Sequence, residues 1–204
     1  MNTRYGLVID LDRCTGCQTC VIACKMEHGL EGCSGIRVET IGGQYRDTPA
    51  GTYPDFSMYY LPIPCMHCAE APCLAACPTD AIYRRRNGVV LIDETRCDGC
   101  QMCLEACPYE VLVYNGQNNK VWKCDLCAHR IDQGVEPFCV LCCEPGAMFF
   151  GDITDPSSQA YQWAERREAY MLNPEKGTEP GVRYCPVRER RPRTDSASTG
   201  IQPG

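Results

Sequence analysis

Hydrophobic side chains occur in short runs along this chain, and the patterned runs predict strands. The run Tyr5–Leu11 is strand-like and lies close to the amino terminus. Apolar and polar residues alternate in Ile36–Ile41 and again in Phe56–Leu61, which predicts two strands of a hairpin. Gly88–Thr95 predicts one further short strand.

The carboxyl-terminal part of the chain predicts one helix followed by an extended arm. The helix is expected from Asp155 to Met171, with Ser157 or Ser158 as its amino-terminal cap. From Arg188 onward the composition is typical of a disordered segment. We interpret this arm as a segment that lies on a partner protein.

The hydrophobic pattern also indicates whether the chain crosses a membrane or carries an export signal. No run approaches the roughly eighteen consecutive apolar residues of a membrane-spanning helix, so no direct span is expected. The apolar run before Asp10 is too short for a secretory signal peptide. We expect assembly in the cytoplasm, where thiols stay reduced until they meet metal. The final site stays open between the cytoplasm and export with a folded partner, peripheral to the membrane.

Composition adds a reason to look for metal. The chain has 19 Cys in 204 residues, but only 4 Phe and 2 Trp. With so few large aromatic side chains, something besides an apolar core must help to hold the fold, and bound metal can supply folding energy. The formal net charge of −6 argues against nucleic acid as a partner, because such a partner requires a basic surface.

Sixteen of the cysteines form four quartets, and each quartet ends in the same C-x3-C step. The odd total and the tight spacing argue against a secreted disulfide scaffold. The quartets are Cys14, Cys17, Cys20 and Cys24; Cys65, Cys68, Cys73 and Cys77; Cys97, Cys100, Cys103 and Cys107; and Cys124, Cys127, Cys139 and Cys143.

Zinc is the main competitor of iron–sulfur clusters for such cysteines. A tetrahedral zinc ion needs two C-x2-C pairs and would leave a third close cysteine idle in the first and third quartets. The fourth quartet taken alone fits a zinc ribbon equally well. Its C-x3-C ending and the presence of three other quartets in the same chain favour a cluster. The sequence therefore predicts four [4Fe–4S] clusters.

The fourth cysteine of each quartet is expected to ligate the neighbouring cluster. In bacterial two-cluster ferredoxins this cysteine begins a helical turn that points away from its own loop. Residues 65–108 match such a module, and the first and fourth quartets must then pair across it. The predicted ligand sets are Cys14, Cys17, Cys20 and Cys143 for set A; Cys65, Cys68, Cys73 and Cys107 for set B; Cys97, Cys100, Cys103 and Cys77 for set C; and Cys124, Cys127, Cys139 and Cys24 for set D.

The expected fold is α+β, with two interlocked ferredoxin-like 2[4Fe–4S] modules of bacterial type, a β-hairpin insertion and a carboxyl-terminal extension. Residues 1–30 and 109–153 would form the outer module, and residues 65–108 the inner one. The β-rich insertion would span 31–64. Residues 154–204 would form the helix and the extended arm.

Five segments together resemble a known family. They are Ile9–Cys17, Cys65–Cys73, Lys123–Arg130, Phe149–Asp152 and Leu172–Tyr184. The chain resembles the four-cluster iron–sulfur subunit of membrane-associated molybdopterin oxidoreductases, such as dimethyl sulfoxide, polysulfide, thiosulfate, tetrathionate and arsenate reductases. The last segment also resembles the polysulfide and arsenate reductase type. These motifs identify the subunit class and do not identify the substrate.

The resemblance implies a relay and not an enzyme by itself. Such a subunit passes electrons one at a time between a catalytic subunit, which holds molybdenum or tungsten on a molybdopterin, and a partner such as a quinone-reactive membrane anchor. Nitrate-reductase-type relatives have tryptophan at one position of the third quartet and a three-iron cluster there. Because Cys100 is intact, four irons are expected at every site.

One departure from the family concerns the fourth quartet. Relatives usually have Cys-Pro where this chain has Cys142-Cys143-Glu144-Pro145, so an extra thiol stands beside the expected ligand. The C-x3-C rule favours Cys143, and Cys142 is the alternative. Together with Cys33 and Cys185, Cys142 is expected to be a buried or idle thiol.

Histidines within two of the cysteine loops are candidates for tuning a cluster. An imidazole N–H of His67 or His129 could donate to a sulfide, although a structural role is at least as compatible with the sequence.

Two other function classes remain open at this point. A free polyferredoxin would shuttle electrons between soluble enzymes, but it has no need of the long segment after the last quartet. A zinc protein acting as an interaction scaffold would lack the brown colour and the absorbance near about 400 nm of iron–sulfur proteins.

Overall fold

The computed structural model describes residues 3–188, in which short strands and short helices alternate. The strands are β1 (Tyr5–Asp10), β2 (Ile36–Ile41), β3 (Ala50–Thr52), β4 (Asp55–Ser57), β5 (Tyr59–Pro64), β6 (Ile82–Arg84), β7 (Val90–Ile92), β8 (Val113–Asn115), β9 (Lys120–Trp122), β10 (Met148–Asp152) and β11 (Val182–Cys185). The helices are α1 (Thr19–His28), α2 (Pro72–Ala75), α3 (Met102–Ala106), α4 (Ala128–Ile131), α5 (Phe138–Leu141) and α6 (Gln159–Arg166). Among these residues no helix combines the length and the apolar character that a membrane crossing requires.

A three-stranded sheet joins the two ends of the described chain. Its order is β10–β1–β11, with β1 antiparallel to β10 and parallel to β11. The central strand is buried through Leu7, Val8 and Ile9, each 0% exposed. The predicted strand at the amino terminus is therefore present as β1. Its pairing with β10 brings the segment before the first quartet next to the segment after the fourth.

The insertion between the first two quartets differs from its predicted register. Strand β2 occupies the predicted Ile36–Ile41, but its antiparallel partner is β5, which begins at Tyr59 rather than at Phe56. Leu61 and Ile63 of β5 are buried, whereas Phe56 is exposed and belongs to a separate small hairpin, β3–β4. Burial of these two aliphatic residues thus sets the register. The sequence pattern does not reveal it, because the prolines of β5 interrupt the alternation of polar and apolar residues.

Two small hairpins follow the middle quartets. The pair β6–β7 lies between the second and third quartets, and the pair β8–β9 lies between the third and fourth. The strand predicted over Gly88–Thr95 is confined to Val90–Ile92. It ends there because the carboxylate of Asp93 accepts hydrogen bonds from the amide and the hydroxyl of Thr95, at 2.9 and 2.6 Å, which starts a turn.

The helix expected over Asp155–Met171 is shorter at both ends. At its start, Asp155 accepts hydrogen bonds from the amide and hydroxyl of Ser157, each at 2.8 Å, so this segment is a turn. Ser158 takes the cap position without a side-chain hydrogen bond. Glu168 has φ +50°, which ends the helix. The interpretation of the arm concerns residues that are almost all outside the described part of the chain.

Helix α6 is held on β1 by a buried ion pair. Asp10 and Arg167 have side chains that are 1% and 8% exposed, and Arg167 Nη2 lies 3.1 Å from Asp10 Oδ1. The indole N–H of Trp163 donates to the other carboxylate oxygen at 3.1 Å. The backbone amide of Asp12, two residues before the first ligand loop, donates to Asp10 as well.

Replacing this carboxylate is expected to destabilise the protein strongly. Asp10→Ala leaves the buried Arg167 guanidinium with only the more distant carboxylate of Asp12, at 3.9 Å, as its counter-charge, which costs about 3 kcal/mol of unfolding free energy. Guanidinium unfolding of the iron-loaded protein measures the loss. The control is Arg46→Ala, since Arg46 is 78% exposed beside Asp47 and its removal should cost less than about 1 kcal/mol. Equal losses in the two variants would contradict the buried-pair account.

Candidate metal centres

All four quartets begin with the same left-handed turn. The residue before the second cysteine has a positive φ in every case: +68° at Gly16, +45° at His67, +77° at Gly99 and +58° at Leu126. Non-glycine residues adopt this conformation at a cost, and they keep it mainly at functional sites. The fourth quartet thus shares the local backbone of the other three, a similarity that its longer spacing conceals.

The cysteines of set B enclose one cavity. This cavity is lined by the four cysteines of that set together with apolar side chains, including Met66, Val90 and Leu112. All four of these cysteines are buried. The set draws three cysteines from the second quartet and Cys107 from the third, which is the combination that the crossover predicts.

The cysteines of set C enclose a second cavity. Three of them come from the third quartet, and the fourth is Cys77. The backbone amide of Ala81 donates to Cys77 Sγ at 3.3 Å. At Gly99 an added Cβ would lie 2.2 Å from the carbonyl oxygen of Asn119, so only glycine fits this turn. Cys100 is exposed.

Set D lines a third cavity. Cys24 of the first quartet joins the three cysteines Cys124, Cys127 and Cys139 of the fourth. Backbone amides donate to two of these sulfurs: Gly35 to Cys24 at 3.4 Å and Leu126 to Cys124 at 3.4 Å. Because sets B, C and D each line one cavity with four cysteines, the three sets suit one kind of occupant.

Set A is brought together around Cys143. Burial, and then the neighbouring thiols of Cys14 and Cys143, raise the pKa of Cys20 to about 12. Burial and Cys143 also raise the pKa of Cys14. The amide of Ala147 donates to Cys143 Sγ at 3.3 Å, as Ala81 does to Cys77. Cys142 follows the last residue of α5 and is half-buried.

The donor chemistry of these sites fits iron–sulfur clusters. Burial and neighbouring thiols raise the pKa of Cys73 to about 12 and that of Cys68 to about 11. Burial likewise raises the pKa of Cys127 to about 12. Four such thiols cannot ionise side by side in an apolar cavity unless metal cations offset their charge, which the iron of a cluster does.

The spacing of the sulfurs disfavours a single zinc ion. Four sulfurs bonded tetrahedrally to zinc at about 2.3 Å lie within about 3.8 Å of one another. Within residues 3–188, the only group of three or more His, Cys, Asp or Glu whose ligand atoms all lie within 4.8 Å is His28, Asp125 and Cys127. The sulfurs of the quartets are therefore spread more widely than a zinc site requires, in the fourth quartet as in the others.

Known families and proteins similar to this chain agree with the geometry. Residues 56–153 match the model of a 4Fe-4S dicluster domain, and residues 5–26 match that of a 4Fe-4S binding domain. A putative dimethyl sulfoxide reductase iron-sulfur subunit of Halobacterium salinarum is 39% identical over an alignment of 206 positions, which covers 89% of this chain and 79% of that protein.

Two further relatives cover nearly the whole chain. A sulfite dehydrogenase subunit of Allochromatium vinosum is 38% identical, over 95% of this chain and 87% of that protein. The arsenate respiratory reductase iron-sulfur subunit of a Shewanella species is 31% identical, over 89% and 95%. This chain belongs to the family of reductase iron–sulfur subunits. The family, the [4Fe–4S] clusters and the role as an electron-transfer subunit were all predicted from the sequence, and all three predictions are confirmed.

The histidines of this iron–sulfur subunit have different surroundings from those expected. His67 is 2% exposed, and its burial fits a tuning role. His129 Nε2 lies 2.7 Å from a carboxylate oxygen of Glu27, which favours a structural role for this histidine. His28, which has no motif around it, lies with Nε2 3.5 Å from Cys127 Sγ and 3.4 Å from Asp125. Only the fold brings His28 from α1 to the fourth quartet.

The choice between Cys142 and Cys143 can be tested directly. Because Cys143 lies with Cys14 and Cys20, Cys143→Ala should lose one cluster, about four irons per chain. Cys142→Ala should keep the full iron content. Iron analysis of the two purified variants measures the difference. The opposite result, with loss of iron only in Cys142→Ala, would exchange the roles of the two thiols.

Proposed function

We propose that this iron–sulfur subunit relays single electrons through four [4Fe–4S] clusters between a molybdopterin catalytic subunit, with molybdenum or tungsten, and a redox partner such as a quinone-reactive membrane anchor. The observation that carries the proposal is the grouping of the cysteines: three cavities, each lined by one complete crossover set, and a fourth set around Cys143. When bound, such clusters supply one-electron carriers with potentials between about −700 and +450 mV.

The proposed ligand assignment follows the crossover in all four sites. Sets B and C exchange their fourth ligands within residues 65–108, which form the proposed inner ferredoxin module. Sets A and D exchange theirs between residues 1–30 and 109–153, the proposed outer module. The pairing of β1 with β10 supports this interlocked arrangement, and so does the packing of α1 against α5. Residues 31–64 are the proposed insertion.

The sets have a proposed linear order C–B–D–A. Sets B and C are joined by their exchanged ligands, and helices α2 and α3, which carry cysteines of both, pack together. Cys124 of set D is electrostatically coupled to Cys65 of set B, which helps to raise its pKa. Cys139 of set D is coupled in the same way to Cys20 of set A.

Both ends of this order reach the surface. Cys17 of set A and Cys100 of set C are exposed, whereas all four cysteines of set B are buried. Apolar side chains lie exposed close to each end in the sequence: Ile22 on α1, two residues after Cys20, is 56% exposed, and Met102 on α3, two residues after Cys100, is 51% exposed. These two ends are the proposed points at which electrons enter and leave, one from each partner. No catalytic group is assigned to this subunit.

The complex itself is the test of this function. The tagged chain, expressed in its native host and purified without disruption of its complexes, should bring down a molybdopterin protein in near-equal amount, together with molybdenum or tungsten. Mass spectrometry and metal analysis identify both. Recovery of the chain alone, folded, iron-loaded and monodisperse, would contradict the subunit role and favour a free electron carrier.

A further inference from the structure

A buried lysine lies between sets B and D. Lys123 is 2% exposed, although lysine is almost never fully buried without a partner. Its ammonium donates to the carbonyl of Val90 and, at 3.0 Å, to that of Cys124. Among residues 3–188, no carboxylate lies within ion-pair distance of it. An uncompensated buried ammonium costs several kcal/mol, so its counter-charge must come from another source.

The cysteine sets on either side can supply that charge. Val90 lines the cavity of set B, and Cys124 lines that of set D, so Lys123 bridges the walls of both sites. The Lys123 charge also partly offsets the rise that burial causes in the pKa of Cys73, a member of set B. Four thiolates around a cluster core of +2 or +1 leave a net charge of about −2 or −3.

His67 belongs to the same buried unit. The amide of Val90 donates to His67 Nδ1 at 3.0 Å, so the ring proton is on Nε2. That Nε2 is buried and has no hydrogen-bond partner in the described part of the chain. Val90 thus links two side chains, Lys123 through its carbonyl and His67 through its amide. Both bring N–H donors to a region that the clusters would make negative.

We propose that Lys123 is a fixed cation that raises the reduction potentials of clusters B and D, with neutral His67 as an accessory donor. The inference rests on the proposed function, since it requires clusters in sets B and D. Each electron adds one negative charge to a cluster, and a nearby cation in a medium of low dielectric constant stabilises the reduced form. Lys123 therefore acts as a positioning residue for charge and does not carry electrons itself.

Two other lysines provide matched comparisons. Lys120, three residues earlier, donates to the carbonyl of Cys97 in set C, so any effect of its charge should fall on cluster C. Lys176 is exposed, in the turn Pro174–Lys176, and donates no hydrogen bond to a cysteine carbonyl in residues 3–188. Replacing either by Gln should leave clusters B and D unchanged.

The test is a potentiometric titration of the whole iron-loaded protein, followed by electron paramagnetic resonance. Signals are assigned to clusters with alanine variants of one ligand from each set. Lys123→Gln should lower the constant for one-electron reduction of B or D at least tenfold, a shift of about 59 mV, and leave A and C within twofold. Unchanged reduction constants of clusters B and D, or an equal change of the constants of all four clusters, would overturn the inference.

A charge-retaining variant and an iron count separate the possible failures. Lys123→Arg should keep the constants for one-electron reduction of clusters B and D within twofold of the wild type, because the charge is kept. A tenfold fall of either constant in that variant would also overturn the inference. The measurement on Lys123→Arg can still overturn the inference if Lys123→Gln does not assemble. Iron content of the wild type is measured first, since fewer than four clusters would contradict the proposed function and not the role of Lys123.

Discussion

Removal of the iron is expected to unfold this protein rather than leave a folded apoprotein. Cysteines occupy a large share of the core; Cys65, Cys73 and Cys103 are among its buried members. Apart from α1 and α6, the helices have only four or five residues, too short to be stable without tertiary contacts. The cysteine sets also join segments that are far apart in the sequence. The free energy of cluster binding therefore contributes directly to the free energy of folding.

Circular dichroism and thermal unfolding measure this effect. After oxidation and chelation, the cooperative unfolding transition of the iron-loaded protein should disappear, and the chain should become sensitive to protease within residues 3–188. Addition of ferrous iron and sulfide under reducing conditions is the control and should restore the transition. An apoprotein with the same melting temperature as the loaded protein would show that the apolar core suffices by itself.

Substitution of a fourth ligand is expected to remove the cluster of the neighbouring quartet. Cys77 belongs to the second quartet but lines the cavity of set C, and Cys107 of the third quartet lines that of set B. Cys77→Ala and Cys100→Ala should therefore lose the same paramagnetic signal. Cys107→Ala and Cys68→Ala should lose a different one. Each variant should lose about four irons per chain.

The pairing of lost signals is the informative result. Without crossover, Cys77→Ala would match Cys68→Ala, and Cys107→Ala would match Cys100→Ala. The comparison needs no prior assignment of signals, because it asks only which two variants lack the same one. A single variant that loses two clusters would indicate that neighbouring sites assemble together, and the iron content of that variant would reveal it.

The quartets could be predicted from the sequence because cluster chemistry restricts their spacing. A C-x2-C step followed by C-x3-C places sulfurs for a cubane whatever surrounds it. Strand β1 could also be predicted, since its central residues are apolar without interruption and are buried on both sides. For Cys143, the constant C-x3-C step pointed to the thiol that lies with Cys14 and Cys20.

Other features depend on contacts that no local pattern records. The register of β5 is set by burial of Leu61 and Ile63, and its prolines interrupt the alternation. Helix α6 ends early because Glu168 takes a left-handed conformation, which its identity does not suggest. Of the two roles left open for His129, its hydrogen bond with Glu27, from a distant helix, favours the structural one.

Lys123 was missed for a related reason. A lysine before a cysteine is ordinarily expected at the surface, whereas Lys123 is buried and donates to the carbonyl of Val90, in a strand that is distant in the sequence. Its position after Val121 and Trp122, in a segment that ends at a ligand loop, was the one available signal. The signal is weak because most lysines in short strands are exposed.

The central claim is that the chain holds four [4Fe–4S] clusters, and the most direct test is metal and sulfide analysis of the purified protein together with spin quantification after full reduction. About 16 irons, about 16 acid-labile sulfides, four spins per chain and no zinc are expected. About 12 irons with one zinc would make the fourth quartet a zinc site. About 8 irons would contradict the outer pair of clusters altogether.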